Sequence, residues 1–314
     1  MKSNFSEIPK DLSRLDKYLA KEESTSPLKP GAEARIIWNS ESHESHPKKT
    51  EYAIVYLHGF RASHPEGDPV HQTIAKRFGY NLFLSRIDEH GIESDYPLLD
   101  LTEEKLLQSA RFAYEIGKRI GEKIILMGTS TGASLALYLA AQDKLKKNIS
   151  TLILYSPLIR FYGLKEKLLM NSFGRRILSI FPGRKYLVKT PQTTYAEDRI
   201  WNKNYALNGA LALGSFVEHY MHKKLFSKVT CPVFVGYYHK NTHEQDTVVS
   251  VPAIHKMVQN LGTRTQFVIS ENFPTAKNHV ICSSLVSKSY EQVIYRTEQF
   301  LKNVGSHRTR EKLG

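Results

Sequence analysis

Six short, almost continuous apolar runs constrain this chain more than any other feature. They are Tyr52 to Leu57, Asn81 to Ile87, Lys123 to Met127, Thr151 to Tyr155, Pro232 to Tyr238 and Thr265 to Ile269. Runs without strict polar alternation are what parallel strands covered on both faces require. A shorter candidate strand, Ala34 to Trp38, precedes them. Between the runs lie helical patterns. Residues 102–119 place Leu106, Leu107, Ala110, Phe112, Ala113 and Ile116 at inward-facing spacing behind a start at Thr102, Glu103 and Glu104. Residues 131–142 are rich in Ala and Leu, and residues 286–303 carry Tyr290, Val293, Ile294, Phe300 and Leu301. This alternation predicts an α/β fold, with a mostly parallel central sheet, helices on both faces and right-handed crossovers.

One interval breaks the rhythm. Residues 157–230 show mostly helical signals and no clear strand, and connections of that length inside a domain usually carry function when ordered. The expected organisation is an N-terminal helix and linker (1–33), a core built from 34–156 and 231–303, a helical cap (157–230) inserted after the sixth strand, and a basic tail (304–314). The 314 residues hold only two cysteines, Cys231 and Cys282, which excludes a disulfide framework or a C-x-x-C metal or redox motif. The first residues lack the apolar stretch of a secretory signal, and no run approaches the length of a spanning helix, so a cytoplasmic location is expected.

The strongest local motif is Gly128-Thr129-Ser130-Thr131-Gly132. As a bare G-x-S-x-G it occurs by chance in about one chain in ten of this length. Its context is sharper, because an apolar run ends at Met127 and an Ala/Leu-rich helical pattern opens at Ala133. A strand–turn–helix of this kind lifts a serine hydroxyl out of the sheet on a strained turn, and the flanking glycines let strand and helix close on each other. A phosphate-binding turn is the alternative, and the motif lacks the lysine that such a loop uses.

A serine hydroxyl is a weak nucleophile until a histidine takes its proton and an acid orients that histidine. Asp246 follows the run ending near Tyr238, and His279 follows the run ending near Ile269, which gives the chain order Ser, Asp, His. Glu244 is the second choice of acid, and His243 and His255 are the weaker candidates for the base. Ser156-Pro157 fills the other loop where an acid could sit. Acyl transfer also needs two N–H donors for the developing oxyanion. The backbone N–H groups of Phe60, in His58-Gly59-Phe60, and of Thr131 are placed to supply them. His58, just before the glycine, reads as a residue that orders this loop rather than as the base.

Together these segments resemble the α/β-hydrolase superfamily over roughly residues 50–303. More closely, they resemble its lid-bearing carboxylesterase and monoacylglycerol-lipase-like branch, which shares its profile with serine aminopeptidase-type hydrolases. The resemblance implies Ser130 as nucleophile, Asp246 as acid, His279 as base, and Phe60 and Thr131 as oxyanion donors, with no metal or organic cofactor. It implies a small-molecule ester substrate, lipid-like or monoacylglycerol-like. Amidase, peptidase or thioesterase chemistry with the same residues stays open, as does a binding protein of the same fold. The oxyanion loop, Phe60 to Asp68, is more charged than many esterases carry, and the histidine loop, Ser270 to Asn278, is long and contains Pro274.

The chain carries 44 Lys and Arg against 31 Asp and Glu, a net charge of +13. Thirteen basic and four acidic residues fall between Pro157 and Thr230, so +9 of that excess sits in the cap, interleaved with eleven aromatic residues. Three readings follow: a solvated outer face over an apolar inner one, attraction for an anionic substrate or membrane surface, or nucleic-acid contact. The first is favoured. Nucleic acid is not expected, since the catalytic pattern already accounts for the fold.

Overall fold

Residues 5–39, 47–163, 166–190 and 194–313 are described by a computed structural model. Five strands come first: β1 (Arg35–Ile37), β2 (Thr50–Leu57), β3 (Asn81–Leu84), β4 (Gly121–Thr129) and β5 (Ile149–Tyr155). A long insertion carries β6 (Leu187–Lys189) and β7 (Asn204–Ala206), after which β8 (Val233–Tyr237) and β9 (Val268–Asn272) complete the set. The main sheet has seven strands in the order β1-β3-β2-β4-β5-β8-β9. Among the described residues only β1 of this sheet runs antiparallel to its neighbour.

The apolar runs are explained by two cores. Along β2, Ala53, Val55 and Leu57 enter one apolar layer while Ile54 and Tyr56 enter the other. Likewise Ile124 and Leu126 of β4 face one way, and Ile125 and Met127 the other. A strand wetted on neither side has no solvated face for alternating polar residues, so period two fades from its sequence although it persists in its packing.

The helices are α1 (Leu15–Glu23), α2 (Val70–Phe78), α3 (Glu103–Ile120), α4 (Thr131–Ala140), α5 (Ser172–Leu178), α6 (Tyr195–Ile200), α7 (Leu207–Tyr220), α8 (Lys223–Phe226), α9 (Val251–Gln259) and α10 (Tyr290–Leu313). Helices α1, α3, α4, α7 and α9 contribute to the first layer, and α2 and α10 to the second. The start of α3 is fixed by Thr102, whose hydroxyl accepts the Lys105 N–H at 3.1 Å, with Glu103 and Glu104 at the positive end of the helix dipole.

Register positions the site. Leu57 of β2 pairs with Gly128 of β4, and Thr129 with Tyr155 of β5. The carboxyl ends of these strands therefore bring His58-Gly59, Ser130 and Ser156 to one edge of the sheet, where open parallel sheets bind their ligands.

Four differences from the sequence reading are physical in origin. Five strands among the described residues precede the insertion, not six. The insertion holds an antiparallel ribbon, β6 with β7, whose three-residue strands are too short to show a period. Residues Thr265–Phe267 form a 3-10 turn, so β9 starts at Val268. Helix α10 runs on to Leu313, through the region read as a separate tail.

Candidate active site

Ser130 sits at the turn between β4 and α4 with φ 54° and ψ −114°, a conformation that costs roughly 1–3 kcal/mol for a residue with a side chain. The turn is held from several directions. The Ser130 N–H donates to the Tyr155 carbonyl at 2.8 Å, and its own carbonyl accepts the N–H groups of Ser134 at 3.1 Å and Leu158 at 3.2 Å. A Cβ on Gly132 would lie 1.9 Å from the Leu57 carbonyl oxygen, and one on Gly128 would lie 2.6 Å from the Gly132 backbone. Glycine is thus required at both flanks by backbone contact.

His279 and Asp246 lie side by side. The His279 Nδ1 lies 2.6 Å from Asp246 Oδ2, and Asp246 Oδ1 accepts the N–H groups of Val248 at 2.8 Å and Val249 at 3.0 Å. Asp246 is 1% exposed. Burial opposes its charge, yet His279 and the two backbone donors hold its carboxyl below the usual range. Burial likewise opposes the imidazolium, but the Asp246 carboxylate, with a further contribution from Glu66, raises the pKa of His279. With Nδ1 committed to the carboxylate, Nε2 is buried and has no hydrogen-bond partner. The Ser156 hydroxyl, from the loop that could have carried an acid, donates to the His279 carbonyl at 2.7 Å and so anchors the histidine loop.

Ser130, Thr131, Phe60 and His279 line one cavity of about 610 Å³. Its apolar walls include Leu158, Phe161, Leu169, Leu213 and Val248. Thr131 is the first residue of α4, so its N–H belongs to the unpaired donors of that helix end. The hydroxyl of Thr131 is buried without a partner.

His58 is held through both ring nitrogens. Its Nε2 accepts the Ile87 N–H at 3.0 Å, its Nδ1 lies 2.8 Å from the Gly59 carbonyl, and burial pushes its pKa far down, so the ring is neutral. The weaker candidates lie elsewhere. Glu244 pairs with Lys240 at 2.7 Å, His243 is exposed, and the Nε2 of His255 sits 2.8 Å from the Tyr237 hydroxyl.

One residue of the site was not singled out from sequence. Glu66 is 2% exposed and lines the same cavity. Its carboxylate accepts the Gly59 N–H at 2.6 Å and the Trp201 indole N–H at 3.2 Å. Burial raises its pKa to about 7 against those hydrogen bonds. Around it the loop from Phe60 to Asp68 is tied to the insertion. Arg61 and Asn202 exchange backbone-directed bonds, Asn202 N–H to the Arg61 carbonyl and Arg61 Nη1 to the Asn202 carbonyl, both at 2.8 Å, and Ser63 Oγ donates to the Ile200 carbonyl at 3.2 Å. The only sequence signal for Glu66 was the unusual charge of the loop.

No protein-family profile and no curated protein matches the sequence. Solved structures do match in shape. A structure of the metagenome-derived lipolytic enzymes LipS and LipT superposes with a TM-score of 0.69 at 14% identity, covering 88% of this chain and 99% of that one. The soluble variant of monoglyceride lipase from Saccharomyces cerevisiae gives 0.61 at 15% identity, over 87% and 93%. Est1E from Butyrivibrio proteoclasticus, with ferulic acid bound, gives 0.60 at 16% identity, over 88% and 98%. The chain has the α/β-hydrolase fold.

Proposed function

We propose that this protein hydrolyses carboxylic esters with an apolar acyl group through a covalent acyl-enzyme. The observation that carries this reading is the pairing of His279 Nδ1 with buried Asp246 at 2.6 Å, which leaves Nε2 unpartnered in the cavity that Ser130 also lines. Ser130 Oγ attacks the ester carbonyl while its proton passes to His279 Nε2. Asp246 fixes the ring and stabilises the imidazolium. The N–H groups of Phe60 and Thr131 receive the oxyanion, and such donors typically contribute a hundredfold or more each to turnover, about 10²–10³. The leaving alcohol takes the proton from Nε2. Water, activated by the same nitrogen, then releases the acid and restores Ser130.

The apolar walls at Leu158, Phe161, Leu169 and Leu213 suit a lipid-like acyl chain, and the likeness in fold to lipolytic enzymes is consistent with it. The decisive experiment is labelling with a fluorophosphonate probe, wild type beside Ser130→Ala. The wild type should label and the variant should not; an unlabelled wild type, or equal labelling of both, removes the assignment. Comparing turnover of matched ester and amide substrates separates ester from amide hydrolysis, with the ester expected to be favoured.

A further inference from the structure

The insertion carries a surface that the proposed chemistry does not use. Helix α5 packs inward through Gly174, where a Cβ would lie 2.3 Å from the Leu168 carbonyl oxygen, and through the partly buried Leu178. Phe173 and Ile177, one turn apart, share another face of α5, and Ile180 follows in the irregular turn Ser179–Gly183. They are 73%, 49% and 74% exposed, and the following Phe181 is 81% exposed. Four large apolar side chains in nine residues, this open to water, are not the scatter of single exposed residues found on ordinary surfaces.

Cations flank them. Arg175, Arg176 and Arg184, with Ser172, Ser179 and Asn208, line a hollow of about 360 Å³. Arg175 is fixed by Glu218 at 2.6 Å and by the Leu169 carbonyl at 2.9 Å. Among the described residues no carboxylate pairs with Arg176 or Arg184. The hollow therefore presents guanidinium groups suited to a phosphate or carboxylate headgroup, beside apolar anchors of the length that enters the acyl boundary.

The geometry points to docking of the α5 face, Phe173 to Arg184, on an anionic phospholipid bilayer, with the apolar side chains inserted and the arginine hollow holding a headgroup. A projecting set of apolar side chains with cations at its base is complementary to a negatively charged interface, whereas a protein partner would need a matching concavity. No helix of the described residues is long and apolar enough to cross a membrane, and attachment through a face of this kind is reversible. Leu169, just ahead of α5, lines the catalytic cavity, so docking brings that cavity close to the lipid.

The test is flotation of the full chain with vesicles of phosphatidylcholine alone and of phosphatidylcholine containing phosphatidylserine. The wild type should bind the anionic vesicles and lose binding as salt is raised. Arg176→Glu with Arg184→Glu should weaken it by more than the about five-fold that each arginine contributes near an anionic surface. Ile180→Ser with Phe181→Ser should weaken it comparably or more. Both variants should keep wild-type turnover of a short, water-soluble ester, which also shows that they are folded. Absence of wild-type binding, equal binding to neutral vesicles, undiminished binding by either variant, or salt-sensitive binding to a DNA duplex in place of vesicles overturns the proposal. Vesicle binding is read without turnover, so its failure leaves the hydrolase reading standing, and the reverse.

Discussion

Glu66 and His279 face the same cavity, and the charge on one sets the proton affinity of the other. In the proposed mechanism His279 can take a proton only when neutral, and both Asp246 and Glu66 raise its pKa against burial. Glu66→Gln removes one of those contributions, so the acid limb of the kcat/KM profile is expected to move to lower pH; an unmoved or raised limb contradicts the coupling. The amide also has one acceptor oxygen for two N–H groups, Gly59 and Trp201, so the oxyanion loop loosens and kcat at its optimum should fall about ten-fold. Stability carries a second signature. The folded pKa of Glu66 is raised from 4.5 to about 7 by burial, so its favourable contribution is complete below about 4.5 and is lost as pH rises through about 7. The stability of Glu66→Gln relative to wild type should therefore rise across that window by about 3 kcal/mol or less, read from denaturant midpoints at a series of pH values.

The Ser130 turn and the loop that starts at His58 behave as elements that fit against each other. Gly132 lies where β2 ends and α4 begins, and a methyl group there meets the Leu57 carbonyl at 1.9 Å and the His58 carbonyl at 2.6 Å. Gly132→Ala must separate the two, moving the Thr131 N–H away from that of Phe60. A loss of kcat of about 10²-fold is expected, alongside a lowered melting temperature. Wild-type turnover from a folded Gly132→Ala protein would show that the turn does not need this close approach. The motif was legible in sequence because its requirements are local: a buried strand, five residues and a helix. Asp246 and His279 were legible because each follows a strand that the apolar runs reveal. Glu66 was not, since its burial depends on Trp201, distant in sequence, and a charged loop residue ordinarily stays in solvent. The ribbon of β6 and β7 escaped for another reason, as three residues per strand leave no period to read.

Over the whole molecule, charge and cohesion are arranged separately. The insertion holds +9 of the net +13, and its cations lie mainly on its outer surface while α7 sinks Phe216 and Val217 into the shared core. At the other end of the chain, the segment before β1 was read as a helix and linker, yet α1 buries Leu15 and Leu19 in the same apolar layer. Glu23, its last residue, forms a buried ion pair with Arg86 just after β3, at 2.5 Å from Nε, and also accepts the Ala34 N–H at 3.1 Å. Arg86 in turn donates to the His90 carbonyl at 3.3 Å, in the loop whose His90 ring packs against His58 and Phe60. The N-terminal helix is thereby connected, through one buried pair, to the loop packed against Phe60. Removing one member of such a pair strands the other charge, at a cost of about 3–5 kcal/mol, whereas replacing both with apolar residues of similar size is often close to neutral. Glu23→Ala should therefore lower the unfolding free energy, read from denaturant titration, by an amount in that range, and Glu23→Leu with Arg86→Met should recover most of it. If the single variant stays within about 1 kcal/mol of wild type, the helix lies outside the cooperative core. If it is destabilised as expected while the double variant regains stability but not turnover, the pair's role is to position the loop behind Phe60, and not merely to hold the helix in place.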